Sequence, residues 1–320
     1  EAGGILDTIL QRLAVYYDQK KGLDAGAKPA KLDILRVPVM RRTGIFHPKN
    51  VFALVERPTV EGRGKGERAL IVASMSANLT RAGWWENVEV CQIEEVAARS
   101  ETALKAGLTR FLRELERDCS AKVVEDQESI REILDFLKST SQPAGGPSGG
   151  RLQTQFFDGK KDFVLFLRDA AGTALDGLNL EVISPYFDTA PRSKPLSDLI
   201  AKFDLLEVRL LLPRKDTGEA LCSKGFFAWV EKHSKVSWSN LPKEVLRGGR
   251  SAEVKSRTVH AKVYRFFQAS PRKEYLFVGS VNLTTPAHRP GGNLESGFFV
   301  DVQPKRPPDR PIDSGKVPVQ

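Results

Sequence analysis

Cysteine and histidine are scarce in this sequence, with three and four copies among 320 residues. The cysteines Cys91, Cys119 and Cys222 are odd in number and lack CxxC spacing, which argues against a disulfide framework and a thiolate zinc site. No apolar run approaches the roughly 20 residues that a membrane span needs, and the first residues do not form a secretory signal. We therefore expect a cytoplasmic, intracellular protein with no membrane segment, no metal and no cofactor.

Acidic residues are also in deficit, because 49 lysines and arginines face 40 acidic side chains and leave a net charge of +9. The excess is concentrated between residues 242 and 265, where seven basic residues accompany two glutamates. Such a stretch favours a polyanionic partner, nucleic acid first and anionic lipid second, over a merely basic surface. We expect Arg250, Lys255 and Arg257 to contact substrate phosphates, with DNA favoured over RNA.

Apolar periodicity gives a coarse map of the secondary structure. Amphipathic helices are predicted over residues 5–17, 101–118, 129–139 and 218–233. Short apolar runs bounded by polar or turn residues predict buried strands at 162–167, 180–184 and 207–213. Segments of both kinds alternate in the second part of the chain, so the pattern indicates a mixed α/β protein.

The string "GIFHPKN" places His47 and Lys49 two residues apart, and the intervening proline excludes a helix interior. On a strand, side chains at i and i+2 share a face, so the pair presents an imidazole beside a cation. The same spacing recurs in "VHAKVYRFF", at His260 and Lys262. The repeat occupies two of the four histidines, which leaves too few for a histidine-rich metal site.

A second motif follows each His-x-Lys pair. After an apolar strand come "MSANLT" with Asn78 and "GSVNLT" with Asn282, and an Asn-x-Glu then ends at Glu89 and Glu295. The interval from histidine to asparagine is 31 residues in the first copy and 22 in the second. The loop "TVEGRGKGE" has nine residues and accounts for the difference as a surface insertion.

These paired motifs resemble the phospholipase D superfamily, in which two His-x-Lys and Ser-x-Asn sets meet at one active site between two similar halves. The string "ISPYF" (183–187) is similar to a strand leading into such a site. Lipid-cleaving members carry an aspartate five residues after the lysine, where this chain has Leu54 and Phe267. The sequence therefore looks more like the nuclease and tyrosyl-DNA phosphodiesterase branch, for which "SANLTRAGW" is also typical.

The resemblance implies two phospholipase D-like halves, each a mixed β-sheet flanked by helices. We assign residues 1–140 to the first half, 141–150 to a flexible linker rich in glycine and proline, and 151–302 to the second half. Residues 303–320 are predicted to be a disordered proline-rich tail. The first half is the shorter one, and because the chain starts at Glu1 we expect it to be truncated, with further domains or protein partners outside this chain.

The repeated residue types suit phosphodiester hydrolysis, which needs a nucleophile, a proton for the leaving oxygen, and donors for the non-bridging oxygens. One imidazole can attack phosphorus while the other protonates the leaving group, through a covalent phosphohistidine. The oxygens are expected to be held by Lys49, Lys262, Asn78 and Asn282. Glu89 and Glu295 are candidates to bond the far ring nitrogen of a histidine. The resemblance favours His47 as nucleophile and His260 as acid, although the roles can be reversed.

Other polar and aromatic residues near the motifs have two interpretations. Ser76, Ser280, Thr80 and Thr284 either contact phosphate or cap the next helix. We interpret Trp84 and Trp85 as core or wall residues, with stacking on bases as the alternative. His233 and His288 have no counterpart in the repeat and are expected to be structural or surface residues.

Three functions are compatible with these patterns. The leading one is a metal-independent phosphodiesterase that acts on nucleic acid at a site built by both halves. A phospholipase D-type lipid hydrolase or transferase is disfavoured by the missing aspartates. A catalytically silent nucleic-acid binding module is disfavoured by the presence of two complete His-Lys-Asn sets.

Overall fold

The computed structural model describes residues 12–20, 34–56, 66–119, 127–143, 152–214, 218–241, 243–246 and 257–302. The first half contains β1 (Ala14–Asp18), β2 (Leu35–Val39), β3 (Asn50–Glu56), β4 (Arg68–Met75), a π-helical turn (Ala82–Glu86), β5 (Cys91–Ala97), α1 (Leu104–Asp118) and α2 (Glu128–Lys138). The second half contains β6 (Gln155–Phe157), α3 (Phe163–Ala171), β7 (Asn179–Ile183), α4 (Lys194–Phe203), β8 (Val208–Leu211), α5 (Lys224–Lys232), β9 (Val236–Ser239), α6 (Lys243–Leu246), β10 (Val263–Gln268), β11 (Lys273–Gly279), α7 (Thr285–His288) and β12 (Gly297–Asp301).

The sheet of the first half is small. Strands β3, β4 and β5 form an antiparallel sheet in sequence order, and β1 and β2 form a separate parallel pair. One face of the three-stranded sheet carries Leu70, Val72 and Val96 into a core that α1 and α2 complete. The opposite face is apolar too, yet Val51 and Ile93 on it are exposed.

The second half is built on a seven-stranded mixed sheet with the order β6-β12-β11-β10-β7-β8-β9. Strands β7, β8 and β9 are parallel and the other neighbours are antiparallel. Helices α3, α4 and α5 cover one face of this sheet, where the core contains Tyr264, Phe266, Phe277 and Phe299. The predicted α/β class, with helix-flanked sheets in two halves, is confirmed.

The two halves share a core, because helix α1 lies against both sheets. The ring of Phe111 on α1 stacks 5.9 Å from Phe52 on β3 and meets Phe156 on β6 edge-on at 5.6 Å. A Cβ atom at Gly107 would lie 2.7 Å from the Phe156 carbonyl oxygen, so glycine permits this close approach. The halves therefore pack as one body around α1.

Two of the predicted elements are wrong. The predicted helix over residues 5–17 contains strand β1 from Ala14 onward, where a β-branched and aromatic run pairs with β2; residues 5–11 lie outside the described residues. The predicted strand at 162–167 is instead the start of helix α3, whose first turn is capped by the Asp162 carboxylate accepting from Val164 N–H at 2.9 Å. The sequence of a short, continuous apolar run does not show whether it forms a strand or a helix.

The other predicted elements are present: α1, α2, β7 and β8 match their segments, and the 218–233 prediction contains α5, which begins at Lys224 after a Ser223 cap. Several segments lie outside the described residues, among them most of the loop insertion, most of the linker, and the C-terminal tail. The domain boundaries therefore remain predictions. In the parts of the chain that are described, no helix has the length and apolar character needed to cross a membrane.

Candidate active site

Backbone pairing brings each His-x-Lys segment against the glutamate segment of the other half. His47 N–H donates to Leu294 O at 3.0 Å, and Leu294 N–H donates to Ile45 O at 2.9 Å. The second copy repeats the pattern, with His260 N–H on Val88 O at 2.9 Å and Val88 N–H on Thr258 O at 2.8 Å. Leu294 and Val88 each precede a motif glutamate. Each of the two motif histidines therefore lies beside the glutamate from the opposite half.

The histidine and glutamate side chains pair in the same crosswise way. His47 Nδ1 lies 2.8 Å from Glu295 Oε2, and His260 Nδ1 lies 2.9 Å from Glu89 Oε1. An ionised carboxylate can only accept, so each Nδ1 carries the hydrogen and Nε2 of the neutral ring has a free lone pair. The structure thus places both predicted glutamates on imidazoles, as orienting groups of the kind a triad uses.

Each glutamate is held in turn by residues of its own half. The Ser76 hydroxyl donates to Glu89, and the Asn87 amide donates to Glu89 Oε1 at 3.2 Å. In the second half Ser280 donates to Glu295, as does Asn293 at 3.2 Å. Both serines are fully buried. Their hydroxyls therefore face a carboxylate, whereas the sequence left phosphate contact and helix capping as the options.

These contacts keep Glu89 ionised. Burial raises the pKa of this carboxyl, but hydrogen bonds from His260 and Ser76 outweigh it, so that its pKa is lowered on balance. A low pKa matters because an ionised carboxylate accepts more strongly from Nδ1 of His260 than a protonated carboxyl would. The sequence predicted that each of these glutamates bonds a histidine, but not that the histidine comes from the opposite half.

The two motif lysines are buried under the histidines. Lys49 Nζ donates to His47 O at 2.7 Å, and Lys262 Nζ donates to His260 O at 2.6 Å. Burial lowers the pKa of Lys49 to about 8, against the opposing effect of Glu295 and Glu89. Burial, reinforced by the charge of Lys49, lowers the pKa of Lys262 to about 7. The two lysines therefore interact electrostatically across the halves.

The halves differ at one contact in this arrangement. Lys262 Nζ lies 3.0 Å from His260 Nε2, so one proton can be shared between these two nitrogens. Among the described residues, nothing hydrogen-bonds Nε2 of His47. The pairs are otherwise alike, so this contact distinguishes the chemical environments of the two imidazoles.

The two motif asparagines are positioned differently. Asn78 is exposed, whereas Asn282 is buried and, within the described chain, its Oδ1 has no hydrogen-bond partner. The segment after Asn282 is supported by the "ISPYF" string, because Leu283 N–H donates to Ser184 Oγ at 3.0 Å and Leu283 forms a bridge with Phe187. That string thus positions the second motif, as its resemblance to a strand leading into the site implied.

The remaining polar candidates are mostly structural. Thr80 Oγ1 accepts from Gly83 N–H at 3.2 Å, which matches the capping interpretation, whereas Thr284 makes no such cap. The Arg257 guanidinium donates to Glu86 O at 3.2 Å and Asn87 O at 2.9 Å, so it ties the second half to the π-helical turn of the first. Arg250 and Lys255 lie outside the described residues.

Three aromatic residues near the site are exposed to solvent, and the sequence did not predict this. Trp84 and Trp85 are exposed on the π-helical turn, so the interpretation as core residues is wrong. Tyr186, which the sequence reasoning passed over, lies with its ring centroid 6.2 Å from that of His260 and is largely exposed. Its position within "ISPYF" was the available indication.

The two histidines outside the repeat lie in structural positions, as predicted. His288 is buried, and its Nε2 lies 2.9 Å from the Tyr264 hydroxyl; burial lowers its pKa to about 3. His233 ends α5 and accepts from Lys235 N–H at 3.1 Å. No group of three or more histidine, cysteine or acidic side chains suited to a metal ion occurs in the described ranges.

Comparison with known proteins supports the fold. No family model matches the chain, and no curated protein sequence matches it either. Among solved structures, yeast tyrosyl-DNA phosphodiesterase is similar at a TM-score of 0.58, with 12% identity over 91% of this chain and 76% of that chain. A mutant of the same enzyme gives 0.55 with the same identity and coverage. The fold expected from the resemblance is thereby confirmed.

Proposed function

We propose that this protein is a metal-independent phosphodiesterase that hydrolyses nucleic-acid phosphodiester bonds through a covalent phosphohistidine. The observation that carries the proposal is the crosswise pairing of His47 with Glu295 and of His260 with Glu89. Such pairing fixes both tautomers, so that two Nε2 atoms are available to one phosphorus, as a displacement with a separate nucleophile and acid requires.

The difference between the imidazoles supports an assignment of their roles. Nε2 of His47 is free to act as a nucleophile, because its lone pair is not engaged by any described residue. Nε2 of His260 shares a proton with Lys262, so this pair is the source of a proton for the leaving oxygen. His47 is therefore the nucleophile and His260 the general acid, in agreement with the assignment favoured by the sequence.

The reaction proceeds in two displacements. The His47 Nε2 lone pair attacks phosphorus, the bond to the leaving oxygen breaks, and that oxygen takes the proton from His260 Nε2. Water then gives a proton to His260 and attacks phosphorus, and the phosphorus–nitrogen bond breaks to restore the His47 lone pair. Protonated Lys49 and Lys262, with the amides of Asn78 and Asn282, would hold the non-bridging oxygens.

The proposed substrate class rests on the charge of the chain and on the solved structures that share its fold. The chain carries a net charge of +9, and residues 242–265 hold an excess of basic side chains, which suits a polyanion. The yeast enzymes with the same fold are named for action on tyrosyl-DNA. A DNA strand is therefore the first substrate to test, with RNA as the second.

A panel of substrates in excess EDTA tests the proposal. Purified protein is incubated with labelled single-stranded DNA, duplex DNA, RNA and bis(4-nitrophenyl) phosphate, and the His47→Ala/His260→Ala double variant controls for contaminating nucleases. We expect hydrolysis of at least one nucleic acid to persist in EDTA and to vanish in the double variant. Activity that EDTA abolishes and Mg²⁺ or Mn²⁺ restores would contradict the mechanism.

A further inference from the structure

Three large apolar side chains are exposed next to the site, on the segment between Asn78 and Glu89. Leu79 is 73% exposed, Trp84 is 50% exposed and Trp85 is 75% exposed. Residues 79–86, which include the π-helical turn, are called the aromatic turn below. Tryptophan is costly to leave in water, so two adjacent exposed copies indicate a surface that contacts something.

The aromatic turn is anchored at both ends. Trp84 N–H donates to Thr80 O at 3.1 Å, and a Cβ atom at Gly83 would collide with the Asn78 carbonyl, so the turn lies tightly against the start of the motif. At the other end, Arg257 binds the carbonyls of Glu86 and Asn87. The turn is thus a rigid support joined at one end to Asn78 and at the other to the glutamate that orients His260.

The corresponding segment after Asn282, which the structure describes in full, has no such surface. Leu283 and His288 follow Asn282 at the same intervals at which Leu79 and Trp84 follow Asn78, and both are buried. His288 packs edge-on against Phe163 of α3 at 4.8 Å. The exposed tryptophan pair is therefore a property of the first-half turn and not a consequence of the shared motif.

We propose that Trp84 and Trp85 form a stacking platform for the unpaired bases of a single-stranded nucleic acid whose scissile phosphate lies in the site. This inference rests on the proposed function and adds the strandedness of the substrate. Exposed bases offer π-faces to tryptophan, whereas the bases of a duplex are already stacked and paired. Single strands also carry backbone phosphates, which suit the net positive charge of the chain.

Continuity with the site favours nucleic acid over a protein as the occupant. The tryptophans are six or seven residues along the chain from Asn78, and four or five from Glu89. A chain segment of this length keeps them close to the reacting phosphate, so a ligand on the platform is continuous with the substrate. A strand whose phosphate is held by the lysines would lay its neighbouring bases on this surface.

Binding measurements in the His47→Ala background test the platform without turnover. Affinities for a single-stranded oligonucleotide, for the same length as a duplex, and for an abasic strand of equal charge are compared between Trp84→Ala, Trp85→Ala and their double variant. We expect each tryptophan to account for about 5- to 150-fold in affinity for the base-containing single strand, since base stacking contributes about 1–3 kcal/mol per base. Affinity for the abasic strand should not change.

Further substitutions separate stacking from general apolar contact. Trp84→Phe and Trp85→Phe should retain most of the affinity, whereas Trp84→Leu and Trp85→Leu should not. Leu206→Ala removes an exposed apolar side chain from the second half and serves as the matched control, with no loss expected. Circular dichroism confirms that each variant is folded.

The outcomes distinguish failure of this inference from failure of the proposed function. If the His47→Ala protein binds base-containing single strands and the unmodified protein hydrolyses them, but the tryptophan variants bind equally well, the platform is wrong and the phosphodiesterase proposal stands. If the tryptophan variants keep their affinity and instead change the sedimentation of the protein from dimer to monomer, the surface is a protein-docking site. If no nucleic acid binds the His47→Ala protein at all, the nucleic-acid substrate itself is wrong.

Discussion

The two halves of this molecule deliver the same set of site residues from sheets of very different size. In the described chain, the first half supplies its histidine, lysine, serine, asparagine and glutamate from a sheet of three strands, and the second half from a sheet of seven. The hydrogen bonds that support each set nevertheless correspond, except that Lys262 alone also contacts the imidazole beside it. The site therefore depends on two strands, one turn and the crosswise backbone pairing, and not on the extent of the sheet behind them.

The comparison also shows where the halves have diverged. Aligned on their motifs, Tyr264, Phe277 and Phe299 of the second half correspond to Val51, Ala73 and Ile93 of the first. The three aromatic residues pack beneath helices α3 and α4, whereas the corresponding face of the first half carries smaller side chains, two of them exposed. Large side chains are thus found where a helix layer covers the sheet, while the residues that form the site are unchanged.

The largest expected effect separates the two histidines. His47→Ala removes the nucleophile, and we expect kcat/KM to fall by about 10⁴-fold or more on every substrate. His260→Ala should lose roughly 10²- to 10⁴-fold on an oligonucleotide, and much less on a nitrophenyl diester whose leaving group needs no proton. Steady-state rates on both substrates measure this, and equal losses for the two variants on both substrates would refute distinct roles.

If each histidine is supported by the glutamate of the opposite half, the losses of activity in the histidine and glutamate variants should not add up. We expect Glu295→Ala to reduce kcat by roughly 10²- to 10⁴-fold, because Nδ1 of His47 loses the acceptor that sets its tautomer. The His47→Ala/Glu295→Ala double variant should be no worse than His47→Ala alone, and the same should hold for His260 with Glu89. Glu207→Ala, which breaks an ion pair with Arg209 elsewhere, is the control. Stronger coupling of His47 to Glu89 than to Glu295 would contradict the arrangement.

The divergence of the sheets predicts unequal stability effects at corresponding positions. Phe299 is fully buried and Ile93 is 61% exposed. Phe299→Ala should lower the free energy of unfolding by about 3–5 kcal/mol through lost packing and a cavity. Ile93→Ala should change it by less than about 0.5 kcal/mol. Urea unfolding measures both, and comparable losses would mean that the exposed face of the first sheet is covered in solution.

The two buried lysines should differ in the pH range over which they destabilise the protein. The pKa values of Lys262 and Lys49 are lowered to about 7 and about 8, below the value of an unfolded lysine. Between the folded pKa and about pH 10, the unfolded state therefore binds more protons than the folded state. Each buried lysine destabilises the protein fully at pH values below its folded pKa. This destabilisation is lost as the pH rises towards about 10. Lys262→Met should raise the free energy of unfolding by about 1–2 kcal/mol below pH 7, with a benefit that shrinks above pH 7.

For Lys49→Met, the benefit should begin to shrink only above about pH 8. Thermal unfolding between pH 6 and pH 10 measures both curves, with Lys161→Met as a control because this lysine is exposed and pairs with Asp169 at the surface. Stabilisation by Lys262→Met that does not change across this range would contradict the assignment of a lowered pKa to that lysine.

Much of the site was predictable from sequence because the motifs repeat. Helix α1 followed from apolar periodicity, and strands β7 and β8 followed from short apolar runs. The repeat placed a strand before each Ser-x-Asn motif and identified the histidines, lysines, asparagines and glutamates as a set. The crosswise pairing was not predictable, because His47 and Glu295 are 248 residues apart and nothing local states which half supplies the partner. The serine hydroxyls were ambiguous for the same reason, since their acceptor is fixed only by the folded chain.

Failures of prediction arose where tertiary context outweighs local pattern. The run from Phe163 to Leu167 is continuously apolar and has no period that distinguishes helix from strand. In the fold, the Asp162 cap and the packing of Phe163 and Leu167 in the core favour a helix. Trp84 and Trp85 follow a strand, as core residues often do, yet the first half places them on a turn that is left open to solvent. The amino-acid composition of a turn does not show whether a helix of the folded protein covers it.

Mapping the covalent intermediate tests the shared site most directly. His260→Ala protein, mixed with an oligonucleotide substrate and quenched without acid, is analysed by intact mass and by peptide mapping. The crosswise account predicts a phosphohistidine at His47, which accumulates because His260 is no longer present to activate the attacking water. An adduct that is absent from His47 in this variant, and that forms instead on His260 in the reciprocal His47→Ala variant, would contradict it.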